Sequence, residues 1–265
     1  MDDLIKYNQE RWQALVDAGI EFSVPYADYD QQQAIDYVDQ WADIKRLELT
    51  DWTGKDVLCL ASGGGQQSVC FSLMGGNVSV RDLTPGQLAG DQAMAEKYGY
   101  SVRTELGDMR DLSCFEDQSF DLVYQAYSIN FIPDPWTVFA EVKRVLRPGG
   151  LYYLQFANPL WNMEETDWTE KGYPIRQPYM QGQPTEPEKK PWDVEQPDGS
   201  MKQVEGPDEF CHTLSTIFNG LGNNGMVVFA MIEMPKGDPS AEPGSWEHLK
   251  SYLPVWPAVW AKKLD

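Results

Sequence analysis

Over the first fifty residues the apolar positions recur at helical spacing. Leu4, Ile5, Trp12, Leu15 and Val16 fall on one face of a helix over 3–18, and Gly19 supplies its stop. Ala34, Val38, Trp41 and Ile44 form the stripe of a second helix over about 31–47, with Asp30 as N-cap and Gln33 completing a capping box. The intervening loop, FSVPYADYD, carries Tyr26 and Tyr29.

From Lys55 strands and helices alternate. The apolar run 56–61 ends in Gly63-Gly64-Gly65, and an apolar helix then reaches Gly75-Gly76. Residues 77–82 read as the next strand, and Thr84-Pro85 opens a helix that ends near Gly99. Residues 101–106 and 120–125 are strand-like; Asp134-Pro135 opens a helix that turns Phe139, Val142 and Leu146 inward. Arg147-Pro148-Gly149-Gly150 stops that helix before a strand over 151–157. Such alternation with short links predicts a doubly wound, Rossmann-like α/β domain with a parallel sheet.

Residues 158–207 break the pattern. They contain eight prolines together with Trp161, Trp168 and Trp192, and hold no steady period, which predicts an irregular insertion packed by its aromatics. Beyond it, Asp208 is read as the cap of a helix through about Leu221, and Met226–Met234 as a strand. The tail alternates into a last strand from about 258, since Pro257 has no N–H for a central ladder. The chain divides into an N-terminal helical cap at 1–50 and a main domain at 51–265, with 158–207 as a lid over its crevice.

Charge narrows the partners. A net charge of -20 opposes nucleic acid and anionic membrane surfaces, both of which select clustered Lys and Arg, and otherwise reads as solubility. The four cysteines show no CxxC pair and there are only two histidines, so neither a disulfide framework nor a metal centre is expected. MDDLIKYNQERW lacks the basic flank and apolar run of a signal peptide, and no apolar stretch has transmembrane length; a cytoplasmic location is expected.

In an open α/β sheet, ligands bind beyond the carboxyl ends of the strands. The first strand leads there into Ala61-Ser62-Gly63-Gly64-Gly65-Gln66, a turn whose glycines let the backbone approach a ligand. Asp82 ends strand two, where an acid can chelate a ribose diol. Gly107-Asp108-Met109 follows strand three and Ala126-Tyr127-Ser128-Ile129-Asn130 follows strand four. Each is weak alone, yet all fall on the edges of one crevice.

VLCLASGGG and the stretch from GDMRDLS to RVLRPGGLYYLQ resemble the S-adenosylmethionine-binding core of class I methyltransferases, of the UbiE-like methyltransferase type 11 kind. The resemblance spans about 57–157, and the helix and strands at 208–263 resemble that family's closing antiparallel pair. It implies a mostly parallel seven-stranded sheet with an antiparallel last strand. It also implies an enzyme that takes S-adenosylmethionine and releases S-adenosylhomocysteine. The implied cofactor set is Gly63 and Gly65 at the methionine part, Asp82 at the ribose, Asp108 and Met109 at the adenine and Tyr127 near the sulfonium. Ala61, Ser62, Gln67, Leu83 and Ala126 are further cofactor residues, the backbone carbonyls near 61 and 126 being candidates for the amino-acid end. The family usually has an acid where this chain has Cys59 and a glycine where it has Ala61. Residues such as Tyr7, Arg11 and Tyr26 then become candidates for the amino-acid end.

Methyl transfer needs chiefly an in-line, water-free encounter, with a general base only for a protonated acceptor. His212 is the candidate base, with a packed structural histidine as the equal alternative; His248 is read as a surface residue. Tyr127, Asn130 and Asn158 are candidates to orient a small-molecule acceptor, or alternatively loop caps. Trp161, Trp168, Tyr173, Tyr179 and Trp192 among Glu164, Glu165 and Asp167 would suit an amine-bearing or aromatic acceptor by ring-face attraction, or simply pack the insertion. Two other functions remain: an NAD(P)-dependent oxidoreductase, disfavoured because the turn lacks its third glycine, and a non-catalytic S-adenosylmethionine-binding protein. Monomer and homodimer are both compatible with the sequence.

Overall fold

The computed structural model describes residues 2–24, 28–161, 163, 165–185, 191–233 and 236–265. Helix α1 (Asp3–Ala18) begins where the Asp2 side chain accepts the Ile5 N–H at 2.9 Å, and ends at left-handed Gly19. Helix α2 (Gln31–Ala42) starts with the Asp30–Gln33 capping box. It stops five residues earlier than the periodicity predicts, because Asp43 turns the chain in the left-handed conformation and Asp39 receives the Lys45 N–H. Ile44 is buried all the same, beyond the helix end.

One sheet holds β1 (Asp56–Leu60), β2 (Asn77–Asp82), β3 (Val102–Leu106), β4 (Phe120–Gln125), β5 (Leu146–Gln155), β8 (Met226–Glu233) and β9 (Pro257–Lys263), in the order β3-β2-β1-β4-β5-β9-β8. The first five run parallel, while β9 is antiparallel to both its neighbours. β5 starts before the predicted break: Arg147-Pro148-Gly149-Gly150 stays in the sheet, its register shifted where Phe120 gives way to Leu122, and Arg147 reaches Asp56 and Asp121. Pro257 is the first residue of β9, where its carbonyl receives the Phe156 N–H.

Alternation along the strands sorts side chains into two layers. Leu58, Leu60, Val123, Tyr152 and Leu154 pack with α5 (Trp136–Val145) and α6 (Leu214–Asn223). Val57, Cys59, Leu122, Tyr124, Tyr153 and Trp260 face the other way, against α3 (Gln66–Leu73) and against Ala34, Val38 and Ala42 of α2. Helix α2 is thus built into the sheet's own core. Helix α4 (Pro85–Tyr98) follows β2.

The insertion is more regular than its prolines suggest. β6 (Pro191–Glu195) and β7 (Met201–Glu205) form a hairpin around Pro197-Asp198-Gly199, with Gly199 left-handed. Val194, 2% exposed, packs on Leu15 and Ala18 of α1. α6 starts at Leu214 with Thr213 as N-cap, not at Asp208, because 208–213 is held extended: Asp208 N–H donates to Asn8, Phe210 N–H to Asn130 O, and Cys211 N–H to Gln183 O. A further helix, α7 (Trp246–Tyr252), occupies a stretch in which the sequence pattern shows none. Among the described residues no helix is long and apolar enough to cross a membrane.

Candidate functional site

β1 exits the sheet into a turn in which three residues take positive φ: Ala61 at 47°, Gly64 at 93° and Gly65 at 86°. Gly65 caps α3, and a Cβ there would meet Met94 Cγ at 2.5 Å and Gly90 O at 3.0 Å. A Cβ on Gly63 would lie 2.5 Å from Gln87 Cβ and 3.1 Å from Asp82 Oδ2. The turn is therefore pressed against the start of α4 and leaves its other side open.

Asp82, at the end of β2, accepts the Gly63 N–H on Oδ2 at 3.1 Å and the Thr84 N–H on Oδ1 at 2.8 Å. Burial pushes its carboxyl up to about 6, against the pull of those backbone donors. Past β3, Asp108 holds Arg110 at 2.6 Å, and Arg110 also reaches Asp2 at 2.9 Å, clamping the start of α1 over this end of the sheet. Past β4, Gln125 donates to Ser128 Oγ at 3.1 Å and receives Tyr152 OH at 2.5 Å.

These strand ends surround a cavity of about 750 Å³. Ten of the predicted cofactor residues line it: Ala61, Ser62, Gly63, Gln67, Asp82, Leu83, Asp108, Met109, Ala126 and Tyr127. Gly65 does not; it fits the turn to α4. Tyr26 and Glu164 lie outside the described residues. Tyr7 and Arg11 do not line the cavity; both bond to Glu205 of β7, at 2.7 Å each.

Three of the predicted acceptor residues are placed away from the cavity. His212 is fully buried, its Nε2–H donating to Ile129 O at 3.0 Å and its Nδ1 accepting from Gln181 at 2.8 Å; burial lowers its proton affinity. Asn130 accepts the Ala157 N–H at 2.9 Å and donates to Phe210 O at 2.8 Å, so it staples three segments together. Asn158 donates to Pro254 O at 2.9 Å. His248, expected at the surface, is 4% exposed, packed edge-on to Trp168 and bonded to Tyr173 OH at 2.9 Å. Trp168 and Tyr173 therefore anchor the insertion on α7, while Tyr179 OH receives the Leu214 N–H at 2.9 Å; among the predicted insertion aromatics Trp161 and Trp192 line the cavity.

The pattern did not single out several other lining residues. Asn8 of α1 is 1% exposed and donates to Phe131 O and Asp208 O; a polar residue within an apolar helical stripe was its signal. Trp12, Trp41 and Trp256 read as core or tail. Glu209 lines the cavity and accepts Tyr127 OH at 2.6 Å, a pairing across 82 positions of sequence.

The cavity has two characters. Around the glycine turn it is polar: among the described residues Gln67 Oε1 and Gln87 Oε1 are buried without a hydrogen-bond partner, and Gln87 and the Asp82 carboxylate both lie against Gly63. Buried acceptors left unsatisfied by the protein call for donors on a ligand. A nucleoside with hydroxyls at Asp82 and a polar tail at the turn meets that demand, so the residues fit the cofactor that the sequence resemblance implies. The far end, beyond β4, β5 and β9, is walled by Trp41, Trp161 and Trp256, whose rings meet edge-on 5.9–6.1 Å apart.

Residues 58–154 match a family model described as a methyltransferase domain. The uncharacterized methyltransferase YbaJ of Bacillus subtilis is 34% identical over 182 residues, which is 65% of this chain and 69% of that protein. Among solved structures, an S-adenosylmethionine-dependent methyltransferase from Mesorhizobium loti superposes with a TM-score of 0.58 at 19% identity, over 86% of this chain and 100% of its own. Another from Clostridium acetobutylicum superposes at 0.59 and 14% identity, over 90% and 94%. Those likenesses establish a shared fold.

Proposed function

The chain belongs to the class I S-adenosylmethionine-dependent methyltransferases, and on that premise we propose that it methylates an amine-bearing or aromatic small molecule in the cytoplasm. The observation that carries this reading is the continuity of the cavity from the polar glycine turn to the tryptophan-walled end. S-adenosylmethionine supplies an electrophilic methyl group on a sulfonium. What the protein has to add is position and exclusion of water.

Asp82 would take the ribose hydroxyls, Asp108 and Met109 the adenine, and Ala126 with Tyr127 the region of the sulfonium. Tyr127 leads from the cofactor residues toward the acceptor, and its bond to Glu209 fixes the phenol orientation. Glu209 is the base candidate that geometry favours over His212, because it lines the cavity and His212 does not. The indole faces of Trp41, Trp161 and Trp256 suit a flat acceptor or, with Glu209 lining the same cavity, a cationic amine.

The test is release of S-adenosylhomocysteine from S-adenosylmethionine with a panel of arylamines, alkylamines, phenols, thiols and carboxylic acids. Turnover confined to amines and aromatic acceptors is expected. Turnover of aliphatic thiols or acids alone would overturn the acceptor reading, and calorimetric binding of NAD with no response to S-adenosylhomocysteine would overturn the cofactor reading.

A further inference from the structure

Helix α4 carries a second buried carboxylate next to the glycine turn. Asp91 is 0% exposed and lies outside the cavity lining. Its Oδ1 receives Ser68 Oγ at 2.6 Å from the first turn of α3, and its Oδ2 is buried without a hydrogen-bond partner. The preceding residue, Gly90, sits directly beneath the turn, where a Cβ would come within 3.0 Å of Gly64 Cα. A side chain at Gly90 would displace the turn, so this part of α4 and the turn are packed backbone to backbone.

The surroundings give this charge no protein counter-ion. No ion pair involves Asp91 among the described residues, and the titratable groups coupled to it are themselves acidic: Asp82, the Cys59 thiol and Tyr100, whose hydroxyl lies 3.1 Å from Ser68 Oγ. Cys70 is coupled in turn to Cys59. The amides of Gly64 and Gly65 favour the charged form, while burial and Asp82 push the carboxyl up to about 7. An uncompensated buried acid is costly to the fold, and an apolar residue of similar size would pack there at less expense.

The packing of Gly90 on Gly64 locates the group beside the turn that β1 enters. Cys59 stands at the first-strand position where the resemblance leads one to expect an acid, and it is completely buried. Asp91, next to Gly90 and bonded to Ser68, comes from α4 to the turn that follows that strand.

We propose that Asp91 is a positioning residue for the cofactor's amino-acid end. It supplies from α4 the negative charge that β1 lacks at Cys59, and holds the glycine turn in the form that receives an ammonium group. The inference rests on the S-adenosylmethionine reading above. Binding of the ammonium then favours the ionised acid, and no covalent step is involved.

Calorimetry with two ligands separates the possibilities. S-adenosylhomocysteine carries the ammonium; methylthioadenosine shares the nucleoside and lacks the amino-acid end. Asp91→Asn preserves volume and the acceptor for Ser68 while removing charge. It should weaken S-adenosylhomocysteine roughly tenfold and leave methylthioadenosine within about twofold. Returning the acid to the strand in the Cys59→Asp/Asp91→Asn double variant should recover most of that loss. Equal weakening of both ligands, or an undiminished affinity for S-adenosylhomocysteine, overturns the proposal. So does a double variant that melts as a folded protein without recovery. If the variants do not fold, the wild type decides: its preference for S-adenosylhomocysteine over methylthioadenosine should grow between pH 6 and 8 as the acid ionises, and a flat preference overturns the proposal. A wild type that binds neither ligand refutes the cofactor reading itself.

Discussion

The two ends of the cavity are constructed by different means. At the cofactor end the walls are strand termini and the residues immediately after them: Ala61 to Gly63 after β1, Asp82 and Leu83 at β2, Asp108 and Met109 after β3. At the acceptor end the tryptophans arrive from separate elements: Trp41 from α2, Trp161 from beyond β5 and Trp256 from just before β9. The first end is made of short-range geometry that a parallel sheet imposes on any sequence threading it. The second depends on how distant segments converge, so it can change its acceptor without disturbing the cofactor.

If the two ends are independent in this way, substitutions should separate them. Asp82→Ala removes the carboxylate that would accept the two ribose hydroxyls and that now accepts two backbone N–H groups. Two ligand bonds at about 1.5 kcal/mol each make about 3 kcal/mol, so affinity for S-adenosylhomocysteine should fall on the order of a hundredfold by calorimetry. An affinity unchanged from wild type would remove Asp82 from the site. Trp256→Ala should do the reverse. It should cost about 2 kcal/mol of stability from a half-buried aromatic cluster and lower acceptor kcat/KM roughly tenfold, while S-adenosylhomocysteine binding stays within about threefold. Equal losses in both measurements would show that the two ends are coupled.

Proton linkage gives a finer test of the cofactor end. The carboxyls of Asp82 and Asp91 are raised from 3.8 to about 6 and about 7, so the folded, ligand-free protein holds their protons more tightly than the unfolded chain. Their contribution to stability is therefore full below about pH 4 and is lost as pH rises through 6 and 7. Asp2 and Glu141, lowered by backbone and Arg144 bonds respectively, act in the opposite sense. Urea unfolding at pH 5 and pH 8 should show Asp91→Asn gaining stability relative to wild type at the higher pH, by about 2–3 kcal/mol. A constant difference across that range would mean that Asp91 does not titrate there. The smallest effect is expected at Ala61. Its left-handed backbone strains any Cβ, so Ala61→Gly should raise stability by roughly 0.5 kcal/mol in the same measurement and leave cofactor affinity unchanged.

The legibility of the sequence follows the same division. The Asp30–Gln33 box, the Gly19 stop, the glycine turn and Asp82 are signals carried by neighbours in the chain; the structure forms the box and the stop as read and brings Gly63 and Asp82 to one cavity, while Gly65 packs away from it. His212 and Asn130 have the chemistry of active-site residues but spend it on backbone carbonyls and amides between segments, a use that composition does not distinguish from catalysis. The β6–β7 hairpin had a local signal, Pro197-Asp198-Gly199 between the alternating pairs Trp192/Val194 and Lys202/Val204; the prolines around it masked the period. Glu209 had no such signal, because its meaning depends on Tyr127.

By itself, then, the sequence determined the alternation of strands and helices, the direction of the sheet and the polar edge of the crevice. All of these arise from periodicity and turn chemistry within a few residues. The tertiary structure alone decided which tryptophans face the cavity, which histidines are stapled into the core, and that a carboxylate on α4 is buried beside the turn that follows β1. Those facts depend on contacts between residues tens to hundreds of positions apart, and the burial that fixes their charge and partners exists only once the segments have packed.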